Sequence, residues 1–170
     1  MSNTVTNYVL PGLTSILMNT EDSGAKVRMF VNTRHQVHSI TPHSHRFNLS
    51  CLVIKGWVEN TIWVPCSSRM DEGDLFQRST LEYCGKIGSY RRTEGVACHH
   101  RPNLLTHREG DLYHMAYDEI HSIVFSKGAK LLLIESAPEC KSSVILEPIV
   151  DGKHLETMRV EDWMFKGDRG

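Results

Sequence analysis

The sequence predicts an all-β protein, built as an antiparallel barrel or sandwich. Short segments rich in Val, Ile, Phe and Thr alternate with turn signals along most of the chain. No stretch after residue 25 keeps a 3.6-residue apolar period, and no internal repeat is visible. The 170 residues are about the length of one domain, and 40% of them are hydrophobic, which is enough to bury a core. We therefore expect a single domain over 1–170.

The first 25 residues are the part of the sequence that favours a helix. Pro11 precedes the run Gly-Leu-Thr-Ser-Ile-Leu-Met, and proline is favoured at the first position of a helix. The segment from Asn19 to Gly24 would end it. We expect a short N-terminal helix within 1–25, a barrel over 26–138, and a C-terminal extension over 139–170.

After residue 25, the sequence predicts a series of strands. Residues 26–40 alternate loosely and are rich in β-branched residues, which favours one or two strands before Pro42. Leu49 to Pro65 indicates two strands joined by a tight turn at Lys55-Gly56. Residues 66–102 contain four glycines among polar residues, which indicates short strands joined by loops or an irregular insertion. Turns separate three further predicted strands: Leu112 to Met115, Ile120 to Phe125 and Lys130 to Glu135.

Composition excludes several classes of partner. Lys and Arg number 19 against 20 Asp and Glu, a net charge of -1, so no excess of cations exists to neutralise nucleic-acid phosphates. Apolar runs such as Leu131 to Ile134 are too short to cross a bilayer, and the first ten residues lack a signal-peptide core. We expect a cytoplasmic protein with no membrane partner. Five cysteines without a C-x-x-C pair indicate reduced thiols, with Cys51 in the core.

The sharpest local motif is Pro42-His43-Ser44-His45, in a chain with ten histidines. Side chains two apart on a strand share a face, about 6.6 Å apart at the backbone, so His43 and His45 could bind one metal ion. His121, which follows a tight turn, is the expected third ligand. His114 is the competing candidate, although its place beside the motif is more typical of a supporting or exposed residue. The alternative is a set of hydrogen-bonded structural histidines without metal.

A second histidine-rich segment offers a competing zinc cluster. Cys98-His99-His100, together with His107, contains the residue types that bind zinc. Successive side chains of an extended chain point apart, however, so three neighbours do not converge on one ion. We therefore interpret this segment as a mobile histidine-rich loop.

The order of these motifs resembles that of the cupin superfamily. His43-x-His45, the hairpin glycine Gly56, and the later Gly110-Asp111 followed by His121 are similar to its two motifs, over residues 26 to 138. The resemblance implies a double-stranded β-helix, or jelly roll, with a metal inside its open end. Many cupins also use a glutamate ligand, but Leu49 and Ser50 occupy the corresponding places here. A site of three histidines would leave two or three coordination positions for water, substrate or O2.

The resemblance also bears on the metal. Neutral imidazoles suit Fe(II), Zn(II), Mn(II) or Ni(II), and iron is favoured because the open three-histidine arrangement is similar to that of the cysteine (thiol) dioxygenases. The stretch LLLIESAP over 131–138 also resembles a strand of those enzymes. Where they place Ser, His and Tyr towards the iron, this chain has Leu131, Leu133 and Glu135, so oxidation of free cysteine is in doubt. Because histidine must be neutral to coordinate, we expect metal loss below about pH 6.

Four further residues are candidates for catalysis and substrate binding. Strict alternation after Leu131 and Leu133 would turn Glu135 inward as a proton-transfer group, whereas a bulge would turn it to water. Tyr113 lies near the second motif and is the other catalytic candidate. Arg28 and Arg34 share a strand face by parity and could clamp a substrate carboxylate or phosphate, the alternative being two surface arginines.

The sequence therefore favours a metal-dependent cupin enzyme, a mononuclear non-haem iron oxygenase of dioxygenase-like type acting on a small organic molecule. The alternatives are a non-catalytic cupin that binds a small ligand, and a cupin isomerase or epimerase. Trp57 and Trp63 are expected to pack in the sandwich interior or cover an edge. The apolar residues Trp163-Met164-Phe165, beside a polar end, indicate either folding back over the barrel or a homodimer, which we expect.

Overall fold

The computed structural model describes residues 3–36, 40–66, 73–83, 90–93, 95–150 and 153–154. These ranges contain thirteen strands, and none of their residues is helical. No helix in the described chain has the length and apolar character needed to cross a bilayer. The strands are β1 (Thr4–Thr6), β2 (Leu13–Thr20), β3 (Lys26–Asn32), β4 (Leu49–Lys55), β5 (Trp57–Pro65), β6 (Asp74–Tyr83), β7 (Tyr90–Arg92), β8 (Val96–Arg108), β9 (Leu112–Met115), β10 (His121–Phe125), β11 (Lys130–Glu135), β12 (Ser142–Val150) and β13 (Lys153–His154).

The described strands form two antiparallel sheets. The first has the strand order β1-β2-β3-β11-β4-β9, and the second has the order β10-β5-β8-β6-β12-β13, with β7 paired to β6. Most neighbours are not consecutive in sequence, as expected for a jelly roll, in which the chain crosses between sheets. Apolar side chains from both inner faces form one core, which includes Leu13, Val53, Val58, Phe125, Leu131 and Ile145. The predicted all-β fold class, with two packed antiparallel sheets, is confirmed.

The predicted N-terminal helix is wrong. Residues 13–20 form β2, which pairs with β3, and Val5 of β1 pairs with Ser15. The side chains of Leu13 and Ser15 are buried, a two-residue period that suits a strand and not a helix. Gly12 adopts a φ of 85° and turns the chain into β2. Tertiary pairing thus determines the structure of a segment whose proline had suggested a helix start.

The two strands predicted between Leu49 and Pro65 are confirmed, but the predicted hairpin is wrong, because β4 pairs with β11 and β9 in the first sheet whereas β5 pairs with β10 and β8 in the second. β4 and β5 meet at Gly56, which has a φ of 76°, a value that L-residues with side chains rarely adopt. A Cβ atom at this position would lie 2.6 Å from the Oγ atom of Ser126 and 3.3 Å from the Cα atom of Ala129. The turn therefore requires glycine for its backbone and for space.

The histidine segment connects the two ends of the second sheet. His43 forms bridges with His121 of β10 and with Ile145 of β12, the strands that lie towards opposite ends of the strand order. The N–H of Ser44 donates to the carbonyl of Val144, and the N–H of Leu146 donates to that of Pro42. These bonds fix the segment across the opening of the sheet, although it belongs to no named strand.

Other expectations have mixed outcomes. The sheets include β2 and β12, so strands extend beyond 26–138 on both sides. Residues 98–107 lie within the strand β8, so the predicted mobile loop is wrong there. Trp63 was expected to pack in the interior or to cover an edge. Its ring packs edge-on against Phe76, and its Nε1–H donates to Ser122 Oγ. The C-terminal residues Trp163-Met164-Phe165 lie outside the described residues.

Replacing Gly56 with alanine should destabilise the protein by about 2–3 kcal/mol, because strain at positive φ adds to a collision with Ser126. The matched control is Gly128→Ala, where φ is 80° and no atom lies within 4 Å of the added Cβ. That variant should lose only about 1 kcal/mol. Urea unfolding of both variants measures the difference, and equal losses would contradict the steric argument.

Candidate metal centre

Backbone pairing sets the positions of the three predicted ligands. The N–H of His43 donates to the carbonyl of His121, and the N–H of His121 donates back, each over 2.9 Å. The two residues therefore form a hydrogen-bonded antiparallel pair, with side chains on the same face. The N–H of His45 donates to the carbonyl of Tyr117 over 3.0 Å. The H-x-H alternation then turns His45 towards the same point.

The three imidazoles form a compact cluster. Their ring centroids are 4.9 Å apart for His43 and His45, 4.9 Å for His43 and His121, and 5.1 Å for His45 and His121. One ring nitrogen from each lies within 4.8 Å of the others. The Nε2 atoms of His45 and His121 are 2.9 Å apart. The three imidazoles are therefore close enough to bind one ion together.

Hydrogen bonds define which ring nitrogen of two ligands can bind metal. The Nδ1 of His43 lies 2.8 Å from the carbonyl oxygen of Thr41, and the Nδ1 of His121 lies 3.2 Å from Asn60 Oδ1. Because both partners are oxygen acceptors, each Nδ1 carries the proton in the neutral ring. The Nε2 lone pairs of His43 and His121 are then available for a metal. Oxygen acceptors behind ligating histidines also fix the orientation of the rings.

Burial keeps these imidazoles neutral. Desolvation lowers the pKa of His43 from 6.5 to about 4, partly offset by its hydrogen bond to Thr41. Desolvation, and then the charge of His43, hold the pKa of His45 well below its ordinary value. The pKa of His121 is also held well below 6.5 by desolvation, followed by the charges of His43 and His45. Neutral rings are the form that coordinates metal, so the donor set fits a divalent transition-metal ion.

The cluster lies in a cavity of about 140 Å³ that opens between the sheets. Arg28 and Glu135 line the same cavity, and the Nε–H of Arg28 donates to Glu135 Oε1 over 2.8 Å. Their side chains are only 5% and 9% exposed, so the ion pair is buried. Leu131 and Leu133 also line the cavity, which shows that β11 keeps strict alternation and turns Glu135 inward.

Tyr113 is a buried wall of the same cavity. Its ring stacks on His107, with centroids 4.0 Å apart and planes 15° apart. Desolvation, and then the charge of Cys51, raise the pKa of Tyr113 well above 10, so its hydroxyl stays protonated. Desolvation also raises the pKa of the Cys51 thiol to about 11. Both groups are therefore neutral donors at ordinary pH.

The structure separates the remaining candidates from this cavity. Arg34 is exposed, lies after the end of β3, and covers Gly12, so it forms no clamp with Arg28. His114 is exposed, and its Nδ1 lies 2.9 Å from the hydroxyl of Ser50. Cys98 and His100 approach each other to 3.6 Å. Within the described ranges, His43, His45 and His121 are the group of three that could hold a metal ion.

Thr41 and Asn60 were not identified from the sequence. Their oxygens accept hydrogen bonds from the Nδ1 atoms of His43 and His121. Thr41 acts through its backbone carbonyl, which leaves no trace in the residue type. Asn60 is 1% exposed and alternates with Val58 along β5, so it is a polar side chain at an inward position. A polar residue at a core position of a predicted strand was the available indication of a supporting role.

Comparison with known proteins finds distant structural similarity and no match in sequence. No protein-family model matches the chain, and no curated protein matches it in sequence. Similar solved structures include a conserved protein of unknown function from Streptococcus pyogenes, at 15% identity and a TM-score of 0.45, covering 75% of this chain and 76% of that one. Hydroxypropylphosphonic acid epoxidase from S. wedmorenis has 10% identity and a TM-score of 0.48, with coverage of 78% and 53%. KdgF from Halomonas sp. has 15% identity and a TM-score of 0.40, with coverage of 75% and 82%. The chain spans about half the length of the epoxidase.

The fold and the cluster together define an all-β protein of two antiparallel sheets in which three converging histidines could hold a metal ion. The jelly roll is evident from the strand order, and the histidines come from the two segments that carry the cupin-like motifs. No carboxylate belongs to the cluster of described residues, so every ligand is uncharged.

Asn60→Leu should weaken metal binding about 10- to 100-fold, because it removes the acceptor that fixes His121. Asn60→Asp keeps an oxygen acceptor and should retain most of the affinity. The exposed Asn103→Leu on β8 is a control for a change of the same kind. Chelator-competition titration with Zn(II) measures the affinities, and equal values for Asn60→Leu and the wild type would contradict the role of Asn60.

After a chelator has removed any metal, the free energy of unfolding of the protein should decrease as the pH falls from about 6.5 to about 4. Because the pKa of His43 is lowered to about 4, the folded state binds fewer protons than the unfolded state between these values, and acid favours unfolding. Each such histidine contributes up to about 1.4 kcal/mol per pH unit to the slope of the unfolding free energy against pH. Urea unfolding at several pH values measures the slope. His43→Gln should make the slope shallower, His114→Ala should not, and a flat profile for the wild type would be inconsistent with buried neutral histidines.

Proposed function

We propose that this chain is a metal-dependent enzyme, a mononuclear non-haem iron oxygenase that acts on a small organic substrate. The observation that carries the proposal is the convergence of His43, His45 and His121 in a cavity that also contains reactive polar groups. A purely structural histidine cluster would have no need of an adjoining cavity with a buried ion pair and a protonated tyrosine.

The donor set supports a metal with open coordination positions. Three neutral imidazoles leave the full charge of a divalent ion in the cavity, and they occupy at most half of an octahedral sphere. Fe(II) held there would supply redox chemistry and bring O2 and substrate together. Zn(II), Mn(II) and Ni(II) suit the same ligands, and the preference for iron rests on the resemblance to thiol dioxygenases.

Three residues of the cavity wall would act on the substrate. Arg28 uses its Nε–H on Glu135, so its terminal nitrogens can donate to a substrate oxygen. Tyr113 stays protonated and can donate its hydroxyl proton. Glu135, turned inward and oriented by Arg28, is the proton acceptor. Arg34 is not part of this proposal, because it does not line the cavity.

Anaerobic purification followed by metal analysis and O2 uptake on a substrate panel tests the proposal. His43→Ala, His45→Ala and His121→Ala should each lose the bound metal, because two remaining histidines bind weakly. His114→Ala, which removes an exposed histidine outside the cluster, should keep it. We expect about one iron per chain, and O2 consumption that disappears with the ligand variants.

Other outcomes separate the alternatives. Stoichiometric zinc without O2 consumption on any substrate would exclude the oxygenase. A metal-free protein whose ligand affinity is unchanged in His43→Ala would indicate a binding module. Activity that persists with chelators would indicate an isomerase or epimerase that uses histidine as an acid or base.

A further inference from the structure

The charged residues that line the cavity are predominantly cationic. Lys26 and Arg28 alternate on β3 and point inward, and Arg46 follows the ligand His45 directly. Glu135, which pairs with Lys26 in the register of β3 and β11, is the acidic residue among the described lining. With neutral histidines the lining therefore carries three positive charges against one negative charge, before any metal adds its own. A cavity of this charge favours an anion.

The cations differ in how they are held. Arg28 is buried and bonded to Glu135, so it is fixed in place. Arg46 is half-buried, and its guanidinium lies 3.6 Å from the centre of the Tyr83 ring. This cation–π contact orients the guanidinium without neutralising its charge. Arg46 therefore keeps donors for a ligand, at a position where water can still reach it.

The remaining wall is apolar. Phe30, Ile123, Phe125, Leu131 and Leu133 line the cavity together with the polar groups. The volume of about 140 Å³ is close to that of an apolar cavity of about 150 Å³ that accepts benzene. The space thus suits a ligand with an apolar body of about six carbon atoms or fewer.

We propose that the cavity selects a small organic anion, with its anionic group held by Lys26, Arg28 and Arg46 and its apolar body against the apolar side chains of the same cavity. This proposal rests on the proposed function, because it names the substrate class of the same cavity. It requires no particular metal, since the charge of the wall belongs to the chain.

Benzoate and benzamide are the probes that test it, because they have nearly the same shape and differ in charge. Isothermal titration of each into the protein as purified should show benzoate binding at least tenfold more tightly than benzamide. The affinity for benzoate should fall as NaCl rises from 50 to 500 mM, whereas that for benzamide should not. Metal content is measured on the same samples, so a failure of the metal proposal remains distinguishable.

Single substitutions test whether the cationic residues of the cavity cause the tighter binding of benzoate. Arg46→Gln and Lys26→Gln should each weaken benzoate binding about tenfold and leave benzamide unchanged, because one cationic donor is lost. Arg46→Lys keeps the charge and should restore most of the affinity. The control is Lys55→Gln, the same change of charge at an exposed residue at the end of β4 that does not line the cavity.

Equal affinity for the two probes in the wild type would overturn the proposal. So would unchanged benzoate binding in both Arg46→Gln and Lys26→Gln with metal still present, because neither of these cations would then hold the anion. Circular dichroism of each variant confirms that a lost affinity reflects lost charge and not lost folding.

Discussion

The candidate site depends on one backbone pairing, the reciprocal hydrogen bonds between His43 and His121. These residues are far apart in sequence, and the pairing places their side chains on one face at the separation of neighbouring strands. The same segment bonds to β12 through the N–H of Ser44 and the carbonyl of Pro42, so it is held on both sides. The cluster therefore exists because the second sheet is connected across its opening, and a shift of one residue would turn the histidines away from one another.

Burial then determines the chemistry of the cluster. An exposed histidine would titrate near pH 6.5, but desolvation keeps the buried rings neutral and ready to coordinate. In the absence of metal, the two Nε2 atoms of His45 and His121 are close enough to share one proton. A metal ion would replace that hydrogen bond. Proton and metal thus compete for the same lone pairs, which makes occupancy of the site depend on pH.

The wall of the cavity carries a second electrostatic constraint. Arg28 and Glu135 are both buried, and removing either partner would leave an uncompensated charge in the interior. An ion pair of this kind adds little net stability compared with apolar residues, so its place beside the metal ligands favours a functional role.

The sequence by itself determined the all-β class, the turn at Gly56 and the identity of the three histidines, because local alternation, turn chemistry and motif spacing are encoded in neighbouring residues. It did not determine that the strands flanking Gly56 pair in different sheets, because strand partners are chosen by distant segments. Tertiary structure alone decided that residues 13–20 form a strand, because their pairing with β3 overrides the local preference suggested by Pro11. Tertiary structure also decided that Arg28 lines the cavity while Arg34 does not. Because β3 ends at Asn32, the alternation of side chains along the strand does not extend to Arg34. The supporting oxygens of Thr41 and Asn60 were accessible only through the fold, because a hydrogen bond between distant segments has no local pattern.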